Sequence, residues 1–473
     1  GASAAASRKC TNIGTIVTAM PAERPSDRVR VPKPALRYRI ASGRGATEQP
    51  NATGDGDMPL TPRFWVLLVL TGVATGLFGD LMMLVLFSVQ HATYGGQSGS
   101  FEDAVRHASS PRIVVALCVA GLFGAAAWYV LRRLTPGQRT EVDDAAWTGK
   151  PLAFWRSFLS GLISEVVIGM GGSIGRENGP RLMGGVSGSV LAGWGRLTAP
   201  QRRLLVACGA GAGLAAVYNV PLGGALYAAE ILMGSIALPI ALPALACSGI
   251  ATATAWIYLP DHATYVGIPD YPFTATIMVW ALLAGPVTGL VAAGWVRLVA
   301  LVSASRLRGT ASLAGMPLAF AALGGIAVAY PQLLGNGKDL AHDMFVGAGG
   351  GLGLLAVLVV LKPLVTALLL ESGAAGGLFT PTMSTGAVLG ALLGGLWSLA
   401  WPGSPEGAYA MVGAAAMIGA GAQAPLSGLV LVLELTHAGF GLMVPLISAT
   451  ALATLVTRYL DGYSIYSARL EAD

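Results

Sequence analysis

The most informative part of the sequence is the glycine-rich loop Gly171–Pro180, which carries a base and an acid between two apolar segments. Ionisable side chains at membrane depth cost a few kcal/mol, so they indicate function. Backbone N–H groups at a helix start bind anions, because unpaired donors and the positive end of the helix dipole point there. We therefore predict an anion site at Gly175 and Arg176. Glu177 would occupy this site when ionised and leave it when protonated, as a gate; the alternative is an Arg176–Glu177 pair in an external loop.

A second glycine-rich stretch, Ser372–Pro381, also precedes an apolar segment. Its glycines allow backbone amides to approach an ion, and Pro381 suits the first turn of a helix, where its missing N–H is not needed. The stretch predicts a second helix start that contacts the anion. The alternative is a glycine-rich surface that only packs helices together.

Three further residues are candidates for the path of the ions. Glu165 stands in an apolar run twelve residues before Glu177, and Glu230 stands in another apolar run. Acids at this depth are candidates for a proton path, whereas a structural ion pair with an arginine is the alternative for Glu165. Tyr466 follows the last apolar segment, where a tyrosine commonly anchors a helix at the membrane surface.

The other chemistry-bearing residue types form no recognisable site. Four cysteines and five histidines are scattered, without the spacing of a zinc site or a disulfide framework. No nucleophile stands with a base in the pattern that an enzyme requires. We expect no metal, no cofactor and no enzymatic activity. The net charge of +5 lies largely outside the apolar segments, so we also expect no nucleic-acid partner.

Composition indicates that a lipid bilayer surrounds these residues. Of the 473 residues, 54% are hydrophobic and 11% are charged, whereas soluble domains have about 25% charged residues. The 65 glycines are about twice the ordinary share. In a membrane protein, glycine lets helices approach closely or lets the backbone line a cavity.

The apolar segments are numerous and often short. They are Phe64–Val89, Ile113–Val130, Phe154–Met170, Leu182–Trp194, Leu204–Tyr218, Leu222–Met233, Ile236–Tyr258, Ala275–Val302, Met316–Tyr330, Leu352–Leu370, Pro381–Trp401, Ala408–Ala420, Leu426–Leu435 and Leu442–Tyr459. A crossing needs about 20 residues, so several cannot cross alone. Broken helices are tolerated at membrane depth where they are buried in protein or line a wet cavity. The pattern predicts an all-α polytopic membrane protein with many short, tilted and broken helices.

An internal repeat divides the membrane part into two halves. Residues 219–224 followed by Glu230, and residues 423–428 followed by Glu434, share Pro, Leu, Gly and Glu at an offset of 204. Two homologous halves with broken helices place a binding site near mid-membrane at their interface. We predict half one at about 61–260 and half two at about 270–473, related as an inverted repeat by analogy with transporters.

Residues 1–60 differ from the rest of the chain. They carry nine basic and five acidic residues and no long apolar run, which predicts a disordered basic N-terminal tail. A basic excess directly before the first apolar segment predicts a cytoplasmic N-terminus, and a cleaved targeting sequence is the alternative. Residues 61–473 would then form the transmembrane anion-transport domain.

In these motifs the chain resembles the CLC family of chloride channels and chloride/proton antiporters. That family places Gly-Arg-Glu before a helix beside its anion path and uses the glutamate as its gate, which the resemblance assigns to Glu177 with Arg176 beside it. The backbone before the Ala/Thr-Pro step coordinates chloride in the family, which implies Leu378 and Phe379 here. The family's pore tyrosine, whose hydroxyl donates to the central anion, corresponds to Tyr466.

The resemblance covers about 64–470 and implies a CLC-type fold. It further implies transport of chloride or similar small inorganic anions, either through a channel or in exchange for protons, and a homodimer with one path per subunit. The expected location is a bacterial-type plasma or inner membrane. The remaining alternative is a cation- or amino-acid-coupled secondary transporter of another inverted-repeat fold, which would depend on sodium.

Several departures from the family pattern limit what the resemblance implies. Asn178 separates the glutamate from the usual Gly-Pro, and the Gly-Ser-Gly-Ile-Pro loop is absent, which leaves Gln138 or Thr140 as candidate donors to the anion. Ile231 stands where antiporters carry a second glutamate that receives protons from the inner side, and this favours a channel. Leu378 stands where fluoride exporters carry an acid, and this disfavours fluoride.

Overall fold

The structure is a computed structural model that describes residues 60–95, 100–138 and 142–469. The predicted N-terminal tail therefore lies outside the described residues, apart from residue 60. In the described ranges the chain forms 17 α-helices, and its only extended pairing is a single isolated bridge. The prediction of an all-α chain is confirmed.

The first half contains α1 to α9. They are α1 Pro62–Tyr94, α2 Phe101–His107, α3 Ser110–Leu134, α4 Val142–Thr148, α5 Phe154–Gly169, α6 Asn178–Trp194, α7 Ala199–Tyr218, α8 Pro221–Leu226 with a π-helical continuation at Tyr227–Leu232, and α9 Leu238–Ala255.

The second half contains α10 to α17 and three short 3₁₀ turns. The helices are α10 Ala275–Ala304, α11 Ala311–Ala327, α12 Lys338–Val346, α13 Leu352–Glu371, α14 Phe379–Ser398, α15 Glu406–Ala422, α16 Pro425–Thr436 and α17 Met443–Leu460. The 3₁₀ turns are Pro331–Leu333, Phe440–Leu442 and Ser467–Arg469.

Seven helices of the described ranges are long and apolar enough to cross a membrane: α1, α3, α9, α10, α13, α14 and α17 with its preceding turn. Between them lie helices that are shorter or less apolar. Of these, α7 and α15 are buried along almost their whole length. The chain is therefore a multi-pass integral membrane protein with short helices in its interior, as the lengths of the apolar segments predict.

The predicted repeat is present in the backbone. Asn219 is the C-cap residue directly after α7 and has a left-handed φ of 54°, and Gln423 is the C-cap residue directly after α15 and has a left-handed φ of 56°. In each half the next helix then starts with a proline, Pro221 or Pro425, at its first turn. The sharp turn between two helices is thus built in the same way in both halves.

Each half also caps a helix of the other half. The carboxylate of Glu434 accepts hydrogen bonds from the N–H groups of Leu222 and Gly223 at the start of α8, at 2.9 and 2.5 Å. The carboxylate of Glu230 accepts from the N–H of Ser427 at the start of α16, at 2.7 Å. An acid at a helix start satisfies unpaired donors and faces the positive end of the dipole. The repeated glutamates therefore join the halves reciprocally.

Glycines allow the buried helix pairs to touch backbone to backbone. A Cβ at Gly184 of α6 would lie 1.9 Å from the carbonyl oxygen of Gly209 in α7. In the second half, a Cβ at Gly413 of α15 would lie 2.5 Å from the carbonyl oxygen of Gly386 in α14. Small residues at such contacts are the usual means of packing helices in membranes, and here they hold α6 and α14 in place.

Three helices are absent from the predicted apolar segments: α2, α4 and α12. All three are short and carry acidic residues, so a search for apolar runs passes over them. Helix α6 also begins earlier than predicted, at Asn178 rather than Leu182, because its first turn is largely buried although it carries polar residues.

Candidate anion-binding site

The two glycine-rich loops lie side by side at the starts of α6 and α14. The N–H of Gly175 donates to the carbonyl of Gly377 at 2.8 Å, and the N–H of Gly377 donates back to the carbonyl of Gly175 at 2.8 Å. This pair of main-chain hydrogen bonds is the isolated bridge of the fold. Two stretches that the sequence separates by about 200 residues thus form one structural unit.

Glu177 reaches across this unit to the other half. It is the N-cap residue of α6, yet its side chain makes no capping bond there. Its Oε1 instead accepts a 2.8 Å hydrogen bond from the N–H of Phe379, the first residue of α14, with Leu378 as the N-cap of that helix. The carboxylate therefore lies where the N-terminus of a helix would hold an anion.

Two hydroxyl groups surround the other oxygen of Glu177. Its Oε2 lies 3.3 Å from the hydroxyl of Tyr218 and 3.4 Å from Oγ1 of Thr380. These two hydroxyls are hydrogen-bonded to each other at 2.6 Å. Glu177 is 2% exposed, so its charge is solvated by a backbone amide and hydroxyls rather than by bulk water. Sequence reasoning missed Tyr218.

The glycines of the bridge make room for this carboxylate. A Cβ at Gly175 would lie 2.3 Å from the Glu177 carboxylate oxygens, and a Cβ at Gly377 would lie 2.0 Å from Oε1. No side chain fits at either position without displacing Glu177. The N–H of Gly175 is directed to Gly377, so in this structure Gly175 provides space and the bridge rather than a free donor.

Arg176 is buried beside the site but does not close onto Glu177. Its guanidinium carbon lies 5.0 Å from the ring centroid of Tyr218 and 5.8 Å from that of Phe87, which are cation–π distances. Arg176 is 7% exposed, so the alternative of an exposed Arg–Glu loop is wrong. The cation is stacked on the same tyrosine that contacts the Glu177 carboxylate.

Tyr466 belongs to a second buried polar cluster. It is 3% exposed, which excludes a role as an interfacial anchor. Its ring packs edge-on against Tyr227 at 5.6 Å between centroids, and the guanidinium carbon of Arg181 lies 5.2 Å from the Tyr466 centroid. Arg181 also forms an ion pair with Asp143 at 3.4 Å. This cluster joins α4, α6, the π-helical segment and the chain after α17.

Arg181 and Asp143 are absent from the sequence predictions, although a signal for each exists. Arg181 is a second charge in a largely apolar helix and stands one turn after Glu177, so the rule that picks out Glu177 applies to it as well. Asp143 follows the region in which the donors Gln138 and Thr140 are predicted. Gln138 is exposed, and Thr140 lies outside the described residues.

The two acids proposed for a proton path have different surroundings. Glu165 is fully buried, and neither of its carboxylate oxygens has a hydrogen-bond partner within the described ranges. A Cβ at Gly179 would lie 2.5 Å from Oε1 of Glu165, so Glu165 faces the first turn of α6. This turn directly follows Glu177 in the sequence. Glu230 is instead engaged at the start of α16, and Ile231 beside it is buried.

Lys362 stabilises the first glycine-rich loop. The sequence alone does not predict this contact. Its ammonium group is fully buried. It donates to Oγ of Ser173 at 2.9 Å, to the carbonyl of Leu333 at 3.2 Å and to the carbonyl of Gly335 at 3.1 Å. One cation on α13 therefore fixes the loop before α6 and the loop before α12.

Comparisons with known proteins identify a family. A family profile described as "Voltage gated chloride channel" matches residues 123–458. A ClC-type chloride channel named ClcB from Shigella flexneri is 30% identical over 388 residues, which are 78% of this chain and 89% of that protein. An H⁺/Cl⁻ exchange transporter named ClcA from Yersinia pestis is 28% identical over 373 residues, 75% of this chain and 77% of that protein.

Solved structures have the same fold. A slow cyanobacterial Cl⁻/H⁺ antiporter matches with a TM-score of 0.76 at 21% identity, over 86% of this chain and 97% of that one. A CLC-type fluoride/proton antiporter matches with a TM-score of 0.69 at 20% identity, again over 86% of this chain and 97% of that one. The predicted arrangement of two repeated halves with broken helices is therefore confirmed.

Proposed function

The chain belongs to the voltage-gated chloride channel family, and on that premise we propose that it moves chloride or similar small inorganic anions across the membrane, with Glu177 as the gate. The observation that carries this proposal is the hydrogen bond from the N–H of Phe379 to Glu177 Oε1. A side-chain carboxylate lies there at the start of a buried helix, in the position suited to an anion.

In this mechanism the carboxylate and the transported anion compete for one set of donors. Ionised Glu177 occupies the start of α14 and excludes the anion. When Glu177 takes up a proton, its interaction with the amide weakens, and the backbone at Leu378 and Phe379 becomes available. The helix start and the nearby Arg176 supply positive potential without a direct ion pair, so the anion is held loosely enough to leave. Tyr466 donates its hydroxyl further along the path.

Protons reach Glu177 by a route that we assign to Glu165. Its carboxylate is buried, lacks a hydrogen-bond partner in the part of the chain that the structure describes, and faces the first turn of α6. Glu230 is the second candidate, and its capping of α16 argues for a structural role. Relatives named as channels and relatives named as proton exchangers match at similar identity, 29% and 28%, so a transport assay decides the coupling.

The assembly and the topology are also part of the proposal. We propose a homodimer with one path per subunit, in a bacterial-type plasma or inner membrane, with the basic residues before α1 on the cytoplasmic side. The transport domain would comprise residues 61–473. Family membership argues against a cation- or amino-acid-coupled carrier of another fold, and sodium replacement should leave anion flux unchanged.

Chloride efflux from liposomes tests the gate. The parent protein should release chloride in a pH-dependent manner, whereas Glu177→Gln, which mimics the protonated side chain, should release chloride at a rate independent of pH. Glu406→Gln at the start of α15 is the matched control and should behave as the parent. A Glu177→Gln variant with unaltered flux and pH dependence would rule out the gate.

Coupling is tested in the same liposomes. An inward chloride gradient that drives protons uphill identifies an exchanger, and chloride flux without proton movement identifies a channel. In an exchanger, Glu165→Gln should abolish proton movement while chloride still moves. Loss of proton movement in Glu230→Gln, with proton movement kept in Glu165→Gln, would assign the route to Glu230 instead.

A further inference from the structure

Arg181 is a buried cation one turn beyond the gate. Its backbone N–H donates to the carbonyl of Glu177 at 3.0 Å, within the first turns of α6. Its side chain is directed into the protein and the residue is 4% exposed. A cation in such a position is costly unless its donors are satisfied.

The guanidinium of Arg181 has one well-satisfied nitrogen and one edge whose hydrogen bonding is incomplete. Nη1 donates to the hydroxyl of Tyr227. Nη2 lies 3.4 Å from Oδ2 of Asp143, and Nε has no hydrogen-bond partner among the described residues. Nε and Nη2 lie on the same edge of the planar group, and this edge binds planar oxygen anions through two parallel hydrogen bonds.

The ion pair with Asp143 is loose. Hydrogen bonds between charged nitrogen and oxygen are about 2.7–2.9 Å long, whereas the Arg181–Asp143 contact is 3.4 Å and the Tyr227–Asp143 contact is 3.5 Å. The ion pair Arg297–Asp461 closes to 2.8 Å although it is much more exposed. A buried pair with long contacts does not recover its desolvation cost. Another acceptor at the Nε–Nη2 edge would complete the hydrogen bonding of Arg181.

The cluster lies on the path that the proposed function assigns. Arg181 follows Glu177 on α6, and its guanidinium carbon lies 5.2 Å from the ring of Tyr466. Arg181, Asp143, Tyr227 and Tyr466 are all buried. On the proposed path, an ion that moves from the start of α14 toward Tyr466 would come close to the guanidinium of Arg181.

We propose that the Nε–Nη2 edge of Arg181 is a second anion-binding site, that it favours planar monovalent oxyanions such as nitrate over chloride, and that Asp143 is its internal competitor. This inference rests on the proposed function, because it states which anions use the same path. A spherical halide accepts from the edge without the match of two oxygens to two N–H groups that a planar oxyanion provides. Asp143 lowers the net charge of the site and prevents the anion from being held too tightly.

Equilibrium titration of the purified full chain in detergent with sodium nitrate and sodium chloride tests the binding. The parent should bind nitrate more tightly than chloride. Arg181→Lys keeps the charge but removes the planar pair of N–H donors. Nitrate affinity should therefore fall about ten- to a hundredfold, the loss expected for one charge-assisted hydrogen bond, and chloride affinity should fall less. Asp143→Asn removes the competing charge without changing shape, so the affinity for both anions should rise.

Matched control variants are available at the ion pair that lies outside the path. Arg297→Lys and Asp461→Asn repeat the same substitutions there, and both should leave the two affinities unchanged. Flux of nitrate and chloride through liposomes is measured with the same set of proteins. The nitrate-to-chloride flux ratio should fall in Arg181→Lys and stay constant in Arg297→Lys.

The outcomes separate this inference from the proposed function. If the parent transports anions under control of Glu177, but Arg181→Lys leaves the nitrate-to-chloride ratio unaltered, the second site is wrong and the gate stands. If Arg181→Lys does not fold, Asp143→Asn decides, because unchanged anion affinity in that variant also overturns the site. A parent that moves neither anion refutes the proposed function itself.

Discussion

Oε1 of Glu177 accepts a 2.8 Å hydrogen bond from the backbone N–H of Phe379. The first residue stands at the N-cap position of α6 in one half of the protein, and the second starts α14 in the other half. The acid that ends one glycine-rich loop therefore serves the helix that follows the other loop. An anion site of this kind is complete only when both halves are folded together.

The hydroxyl groups of Tyr218 and Thr380 should hold the gate closed. Both contact Glu177 Oε2 at the long distances of 3.3 and 3.4 Å, so each contributes only the lower end of the about 1.5–3 kcal/mol of a hydrogen bond to a charged group. Tyr218→Phe and Thr380→Ala should therefore each raise chloride efflux from liposomes by about tenfold at neutral pH. Because the two hydroxyls are bonded to each other, the double variant should gain less than the product of the two single effects.

The matched control for this experiment is Tyr271→Phe. The Tyr271 hydroxyl donates to the carbonyl of Phe345 at 2.6 Å, in another buried part of the protein. This variant also removes one phenolic hydroxyl, and it should leave chloride efflux as in the parent. Equal efflux in Tyr218→Phe and Tyr271→Phe would contradict the assignment.

The reciprocal glutamate caps should contribute equally to stability. Glu434→Gln and Glu230→Gln each keep the size of the side chain and remove the charge that faces a helix start. Each variant should lose about 1 kcal/mol of unfolding free energy, measured by thermal unfolding in detergent. Glu371→Gln at the end of α13 is the control, because an acid at a helix C-terminus faces the negative end of the dipole and its neutralisation does not destabilise. Loss in only one of the two cap variants would refute the reciprocity.

The contact between Lys362 and Ser173 should be stronger than an ordinary buried hydroxyl bond. Ser173→Ala removes one of the three acceptors of a fully buried ammonium group, and it should lower the unfolding free energy by about 1.5–3 kcal/mol. Ser372 is buried too, but its hydroxyl donates to the neutral carbonyl of Leu369. Ser372→Ala should therefore lower the unfolding free energy by about 1 kcal/mol. The melting temperatures of the two variants in detergent, each compared with the parent, test which substitution destabilises more. A larger drop in melting temperature for Ser372→Ala would contradict the stronger Lys362–Ser173 contact.

Glu102 should make stability depend on pH. It lies on α2, between the first two membrane-spanning helices, and burial together with Asp343 raises its pKa to about 7, against the partial lowering by Arg106. Because the unfolded chain releases this proton near pH 4.5, stability is highest below that pH. It falls as the pH rises toward 7 and is constant above. Glu102→Gln lacks this loss, so its melting temperature relative to the parent should rise between pH 4.5 and pH 8.

Asp103 on the same helix is the control for that experiment. Its hydrogen bonds with Ser100 lower its pKa below the usual value of 3.8, so it stays ionised in both states over this range. The difference between Asp103→Asn and the parent should be constant from pH 4.5 to pH 8. A constant difference for Glu102→Gln as well would show that the Glu102 carboxyl ionises normally.

Local chemistry accounts for what the sequence predicted well. The glycine-rich loops, the proline-started helices and the repeated glutamates each have a short-range signature, and they led to Glu177 and Phe379. The assignment of these residues to gating and anion binding stays a prediction. The role of Glu230 as a proton carrier also stays a prediction. The sequence does not reveal that the Glu230 carboxylate caps a helix about 200 residues away.

Partners far apart in the chain explain what the sequence did not reveal. Arg181 and Asp143 are 38 residues apart, and Lys362 lies 189 residues from Ser173. No periodicity links such pairs, because their proximity arises only when the helices pack. A search for apolar runs also does not detect the short acidic helix α4, which carries Asp143.

The double hydrogen bond between Gly175 and Gly377 bears on how the protein works. It links the main chains of the two halves beside Glu177, where the proposed ion path lies. A cycle in which the halves rocked apart would break both bonds on every turnover. We expect instead that the moving part is a single swinging side chain, so that structures with Glu177 turned in and turned out share one nearly superimposable backbone.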